Sequence, residues 1–249
     1  MEVERNKRET SLAELETQAK AAPFPLNLSG ALWGDRVRLI AEVKKTSPSK
    51  GLLAEHYDPV AQATVYADNG AAAISVLTEV DHFQGSLDHL RAVRQAVGPS
   101  GVPVLRKDFL YDPYQLVEAR AAGADAALLI VAMLSPDQLR EMLAAAQGIF
   151  LQALVEVHSE VELHTALNSG AEIIGINHRD LKTFEMDMGL AVRLAPIVPQ
   201  GRIIVAESGI DSAEDVLPLK RAGVHAVLVG ESLMVAPDPA AKVRELSSV

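Results

Sequence analysis

Eight times along this chain a short, continuously apolar run gives way to polar residues and then to a stretch of helical character. A strand with one wet face alternates, whereas a strand covered on both faces is apolar throughout, so the runs read as parallel strands. They fall near residues 37–44, 72–78, 102–108, 126–132, 150–157, 172–178, 202–208 and 224–230, with helices in the intervals. Eight such units in 249 residues are the size of a single closed (β/α)8 barrel of the TIM type. An open doubly wound sheet has similar strand counts, but the glycine-rich fingerprint expected after its first strand is missing. That turn reads Lys44-Lys45-Thr46-Ser47-Pro48-Ser49 instead.

Local signals repeat in step with the strands. Asp58-Pro59, Asp112-Pro113, Ser135-Pro136 and Asp238-Pro239 each place a capping side chain before a proline suited to the first helical turn. Gly70, Gly123, Gly170 and Gly223 stand at helix ends just before strands two, four, six and eight, which suggests a fold built from βαβα quarters. Residues 1–36 are different: charged at first, then broken by Pro23, Pro25, Gly30 and Gly34. They read as an N-terminal helical extension packed on the barrel, with a helix near Ser11 to Ala21 that uses Leu12 and Leu15 as contacts. Residues 37–249 are expected to form the barrel and the one catalytic domain.

Composition removes several functions. With no cysteine, disulfides, thiolate metal sites and a cysteine nucleophile are excluded together. A formal net charge of −10 argues against nucleic-acid or anionic-membrane partners, and an anionic small molecule would need a local basic pocket. No apolar run reaches membrane-spanning length and no secretory leader is evident, so a cytoplasmic location is expected. The seven histidines lack metal-ligand spacing and read as solvated or core residues, so no metal is expected. Trp33 and the methionines read as packing. Oligomeric state is not legible; a monomer is favoured because the helices show no obvious outer apolar stripe.

Residues two apart on a strand share a face, so the inward columns can be written down: Ile40, Glu42 and Lys44; Leu105 and Lys107; Leu154 and Glu156; Gly175, Asn177 and Arg179; Val205 and Glu207. The apolar members lie lower and the polar ones end the strands. Any one charge alone would pass for a solvated strand end or a structural ion pair. Five strands that all end in inward polar groups point to a shared site at the C-terminal face, where barrel enzymes carry their chemistry. An unpaired carboxylate there would cost several kcal/mol, so each should face a lysine, another donor or a substrate.

The segments IAEVKKTSPSKG (40–51), VLRKDF (104–109), LVEVH (154–158), GINHRDL (175–181), AESGI (206–210) and VGESLM (229–234) together resemble the indole-3-glycerol phosphate synthase family. The resemblance runs in order through residues 37 to 235. It implies conversion of 1-(o-carboxyphenylamino)-1-deoxyribulose 5-phosphate to indole-3-glycerol phosphate, with loss of carbon dioxide and water and without a cofactor. On the matching positions, Lys107 resembles the acid of ring closure and Glu156 the acid or base of dehydration. Lys44 would bind the anthranilate carboxylate and share in proton transfer, Glu42 would orient the lysines, and Asn177 and Glu207 would complete the wall. Which lysine serves which step is not decided by spacing, because coupled groups titrate together.

Phosphate binding in barrels commonly uses the loops after strands seven and eight. Here these hold Ser208-Gly209 and Gly230-Glu231-Ser232, and the family adds Ser47. The glycines also have the plain explanation of turn geometry. Glu231 is discordant beside a phosphate unless its side chain turns outward. Phe83 and Phe109 match positions that pack on the aromatic ring, or else belong to the core. Arg179 contacts ligand or closes a salt bridge across the barrel mouth, with the ion pair preferred.

Two departures stand out: the N-terminal extension is shorter than the family pattern and is expected to cover the site less, and His178 replaces a frequent asparagine. Three rival functions fit a barrel of this kind. Phosphoribosylanthranilate isomerase is similar in architecture, but it relies on a cysteine. A Schiff-base aldolase would use Lys107 as its nucleophile, and a noncatalytic barrel would bind a ligand without turning it over.

Overall fold

The computed structural model describes residues 2–47, 51–52 and 57–249. Eight parallel strands form the closed barrel: β1 (Arg38–Val43), β2 (Ala73–Leu77), β3 (Val104–Lys107), β4 (Ala126–Ile130), β5 (Gln152–Val157), β6 (Ile173–Asn177), β7 (Ile203–Glu207) and β8 (Ala226–Val229). Each strand pairs with its neighbours in sequence, and β8 returns to β1 with Arg38 opposite Ala226. All eight lie within the runs read from sequence. A two-residue ribbon, Thr46–Ser47 against Gly51–Leu52, stands outside the barrel in the loop after β1.

Strand parity separates two apolar layers. Ile40, Ala73, Leu105, Leu128, Leu154, Val205 and Leu228 fill the interior, while Leu39, Ala41, Ile74, Val104, Leu129 and Val155 face the surrounding helices. The lower end of the interior is closed by Leu28 and Leu32 of α3 (Leu28–Leu32), both fully buried in the interior cluster. Each contributes about 1.5–3 kcal/mol of burial.

The outer helices begin where their capping residues lead. Asp58 accepts from the Val60 and Ala61 N–H groups, Asp112 from Tyr114, Ser135 from Gln138 and Asp238 from Ala241. A cap of this kind is worth about 1 kcal/mol. Gly70, Gly123, Gly170 and Gly223 have φ between +89° and +108°, which lets the chain turn sharply out of a helix and into the next strand.

The N-terminal segment is more helical than its sequence suggests. Besides α2 (Leu12–Ala21), capped by Ser11 as expected, there are α1 (Glu2–Glu9) and α3. The segment runs down α4 (Pro113–Ala121). Lys7 pairs with Asp112 at 2.6 Å near the mouth, Tyr114 Oη donates to the Asn6 and Thr10 carbonyls, and Arg120 donates to the Ala22 carbonyl lower down. At the bottom, the buried Asp125 carboxylate accepts from the Leu26 and Val104 N–H groups and pairs with Arg94 at 2.9 Å.

Two packing expectations need correction. Leu12 is 47% exposed, and Leu15 and Ala19 carry the contact of α2 instead. Trp33 is 58% exposed and stacks on His225 at 5.2 Å, because it sits on the rim of the barrel floor, not within it. Met142 is buried as expected, but Met133, Met186 and Met188 are exposed.

Candidate active site

The polar strand ends converge on one cavity of about 450 Å³ at the C-terminal face, a size suited to a small-molecule ligand. Lys107 stands at its centre. Its ammonium lies 3.4 Å from Glu156 Oε2 and 3.4 Å from Glu207 Oε2. Beside it Lys44 pairs with Glu42 at 2.9 Å. Glu42, Glu156, Asn177 and Glu207 are all buried, and Lys44 and Lys107 are nearly so. Strand parity thus brings the polar end of every inward column to the same place.

These charges set one another's protonation. Burial opposes the Lys107 charge, but Glu156, Glu207 and Glu42 outweigh it and hold the ammonium above its ordinary range. Burial would likewise raise Glu156, yet the Lys107 charge, a hydrogen bond and charge from His158, and a hydrogen bond from Asn177 bring it down to about 2. Glu207 goes the other way. Burial and the adjacent Glu156 charge push it up to about 8 against the pull of Lys107, and its oxygens accept no hydrogen bond from any described residue. Glu42 is lowered: burial works against its charge, but Lys44 and Lys107 prevail. The site thus drives two neighbouring carboxylates apart, Glu156 down and Glu207 up, the separation used for acid and base roles.

Two glycines are fixed by this cluster. A Cβ on Gly230 would collide with Glu42 Oε1 and lie 3.0 Å from Lys44 Nζ, so backbone of the loop after β8 rests directly on that ion pair. A Cβ on Gly175 would collide with Glu207 Oε1, so the missing side chain on β6 is the room that Glu207 occupies. Gly230 has φ −126°, which any residue can adopt; close approach, not turn geometry, explains it.

The remaining expected residues take defined places. Ser208, Gly209, Gly230 and Ser232 line the cavity on one side, and the Ser232 hydroxyl donates to the Ile210 carbonyl at 3.0 Å, tying the loops after β7 and β8 together. Ser208 itself has φ +70°, and its carbonyl lies 2.9 Å from His178 Nδ1. Glu231 also lines the cavity, at the start of the short helix Glu231–Met234. Phe83 and Phe109 are half-buried on the wall, with Phe109 also packed on the interior cluster. The ribbon pairs Ser47 with Gly51, but the Ser47 side chain, like Pro48 to Lys50, lies outside the described residues.

Arg179 lines the cavity, and no ion pair joins it to a described residue. Its backbone N–H donates to Asn177 Oδ1 at 3.0 Å, turning that amide at the end of β6.

A family model for indole-3-glycerol phosphate synthase matches residues 1–246. The chain belongs to that family. Relatives named indole-3-glycerol phosphate synthase include one from Dehalococcoides mccartyi strain CBDB1, 51% identical over 98% of this chain and 95% of the relative. Another, from Roseiflexus sp. strain RS-1, is 51% identical over 99% of this chain and 94% of the relative. Solved structures share the fold at lower identity. A thiamine phosphate pyrophosphorylase from Pyrococcus furiosus superposes with a TM-score of 0.67 at 18% identity, covering 89% of this chain and 96% of that one. A 3-hexulose-6-phosphate synthase from Salmonella typhimurium gives 0.64 at 16%, covering 85% and 97%. Indole-3-glycerol phosphate synthases are decarboxylating lyases of tryptophan biosynthesis.

Sequence reasoning missed one close neighbour of Glu156. His158, read with the other histidines as solvated or core, is buried 3.2 Å from Glu156 Oε1. The sequence carries a signal for it, since residues 154, 156 and 158 share a face. The lower wall, from Leu77, Leu128, Ile130 and Leu228, was also unassigned. No described residue of the first 36 lines the cavity.

Proposed function

We propose that the protein converts 1-(o-carboxyphenylamino)-1-deoxyribulose 5-phosphate to indole-3-glycerol phosphate, carbon dioxide and water in tryptophan biosynthesis. The observation that carries this reading is Lys107, 3.4 Å from each of two buried carboxylates that their surroundings shift in opposite directions. Ring closure needs a proton donor at the ketone oxygen as the aromatic carbon attacks, and dehydration needs an acid for the departing hydroxyl and a base for the lost proton. Lys107 supplies the first: its ammonium stays charged until an alkoxide forms beside it. Glu156, held ionised, is the base of dehydration, and Glu207, mostly protonated, stands ready as a donor or holds Lys107 in line. Asn177 keeps Glu156 in place.

Substrate anchoring follows the same geometry. Lys44, steadied by Glu42, takes the anthranilate carboxylate, and the ring lies between Phe83, Phe109 and the apolar lower wall. The phosphate sits at Ser208-Gly209 and at the main-chain N–H groups of Gly230 and Ser232, with Ser47 closing from the loop after β1. Arg179 approaches the ligand from the rim. A Schiff-base reading is disfavoured, because a nucleophilic lysine must be held below its ordinary range and Lys107 is held above it. A monomeric enzyme in the cytoplasm with this small anionic substrate completes the reading. Elution at the mass of one 26.6 kDa chain would bear out the monomer.

The experiment is a continuous fluorescence assay on purified protein with the carboxyphenylamino sugar phosphate, without added metal or nucleotide. Appearance of indole fluorescence is expected. Absence of turnover, or borohydride trapping of a substrate adduct on Lys107, would overturn the assignment.

A further inference from the structure

His158 lies just beyond β5, in the loop that leads into α5 (Glu160–Asn168), and its side chain is only 7% exposed. Its imidazole is held between two carboxylates. Nε2 is 3.2 Å from Glu156 Oε1, and Nδ1 is 3.3 Å from Glu162 Oε2, which also accepts the His158 backbone N–H at 2.7 Å. Both ring nitrogens therefore face carboxylate oxygens, Nδ1 through a hydrogen bond and Nε2 at ion-pair distance, an arrangement that suits the doubly protonated ring.

This contact adds to a bias that Lys107 begins. The Lys107 ammonium is 3.4 Å from both Glu156 and Glu207, but among the described residues it donates a hydrogen bond to Glu156 alone. His158 touches Glu156 alone, through the oxygen that Lys107 does not use. We propose that His158 is a positioning residue of the reaction: as an imidazolium anchored by Glu162 it holds one oxygen of Glu156 by its charge, leaves the other to the Lys107 hydrogen bond, and so reinforces Glu156 as the base and Glu207 as the partner that keeps the proton.

The charged groups acting on the ring are few. They are Glu156 on β5, Glu162 on α5 and Asp180 in the loop after β6, with Lys107 and Glu207 beyond Glu156. Burial disfavours the imidazolium, but the hydrogen bonds and charges of Glu156 and Glu162 raise the ring to about 9. His158 is thus cationic through neutral pH and loses its grip near pH 9. The inference rests on the reading of Glu156 as catalytic carboxylate.

The test compares the full-length wild-type enzyme with His158→Gln, which keeps a donor but no charge, and with His158→Asn should the first variant fold poorly. Expected at pH 7.5 is a fall in kcat of about tenfold or more, the worth of one pKa unit of bias, with KM changed far less. Wild-type kcat should decline toward the variant's value as pH rises through about 9, while the variant shows only the titration of Glu207 near 8 that both proteins share. Independently of turnover, nitrogen NMR of the imidazole in the ligand-free wild-type protein should show both nitrogens protonated at pH 7.5. A neutral ring at that pH, or a variant with wild-type kcat and pH profile, would overturn the inference. Lack of turnover by the wild type would instead count against the function reading, and the NMR result would still decide the state of His158.

Discussion

Replacing Lys107 by methionine keeps most of the side-chain volume and removes the charge that two buried carboxylates share. At 3.4 Å and an effective dielectric of about 20, the contact with ionised Glu156 represents about 5 kcal/mol of gross attraction, and the contact with Glu207 counts as much once that group ionises above about pH 8. Desolvation offsets much of that, and breaking a buried pair by deleting one partner costs about 3–5 kcal/mol net. The folded variant has one escape, which is to protonate the carboxylates it can no longer neutralise. Glu156, held low against burial chiefly by Lys107, would then rise above the unfolded carboxylate value of about 4.3, less far than burial alone would take it because His158 and Asn177 remain. A carboxyl group raised in the folded state contributes stability that is present at low pH and lost as pH climbs through its folded pKa.

K107M should therefore melt near the wild-type temperature at pH 5.5 and fall away steeply toward pH 9. For a chain of 249 residues, 1 kcal/mol moves Tm by about 2–4 °C, so the deficit at pH 9 is about 6–20 °C. The kcat should drop by about 10²–10⁴, the worth of a positioned proton donor. Differential scanning fluorimetry across pH, beside the fluorescence assay, reads both. A variant whose Tm parallels that of the wild type across the pH range would refute the claim that Lys107 neutralises this pair.

Other expectations follow from the same contacts. Glu156→Gln should lower kcat by about 10² or more with a smaller effect on KM, read by steady-state kinetics; equal loss in both would make Glu156 a binding group. Gly230→Ala places a methyl against Glu42 and Lys44, so it should depress kcat as well as raise KM, whereas a purely phosphate-binding glycine would change KM alone. Glu207→Gln removes a group raised to about 8, so the fall in Tm between pH 6 and pH 9 should be shallower than in the wild type; an unchanged slope would show Glu207 ionised throughout.

The barrel was readable because its strands are buried on both faces. Every one of the eight apolar runs became a strand, and the proline-linked caps and helix-end glycines marked the boundaries between them. Parity alone brought Glu42, Lys44, Lys107, Glu156, Asn177 and Glu207 to one cavity. What escaped depends on contacts between distant segments. Among the residues of helix α1 whose side chains are described, Val3 alone is buried, and tertiary bonds from Asn6 and Lys7 to the α4 region hold the helix. The short α3 carries no period to detect, although Leu28 and Leu32 close the barrel floor. Gly230 and Gly175 looked like turn residues or simple strand positions, since the carboxylates that demand their small size come from other strands. His158 is easily passed over when histidines are sorted by metal spacing; its place two residues after Glu156 is the better guide.

The most direct measurement is a crystal structure of the enzyme with its product or a substrate analogue bound. Lys107 Nζ should lie within hydrogen-bond distance of the oxygen derived from the ketone, with the phosphate against Ser208-Gly209 and the backbone of Gly230 to Ser232. A complex in which Lys44 holds that oxygen and Lys107 faces the anthranilate carboxylate, or in which the phosphate lies away from those loops, would contradict the account.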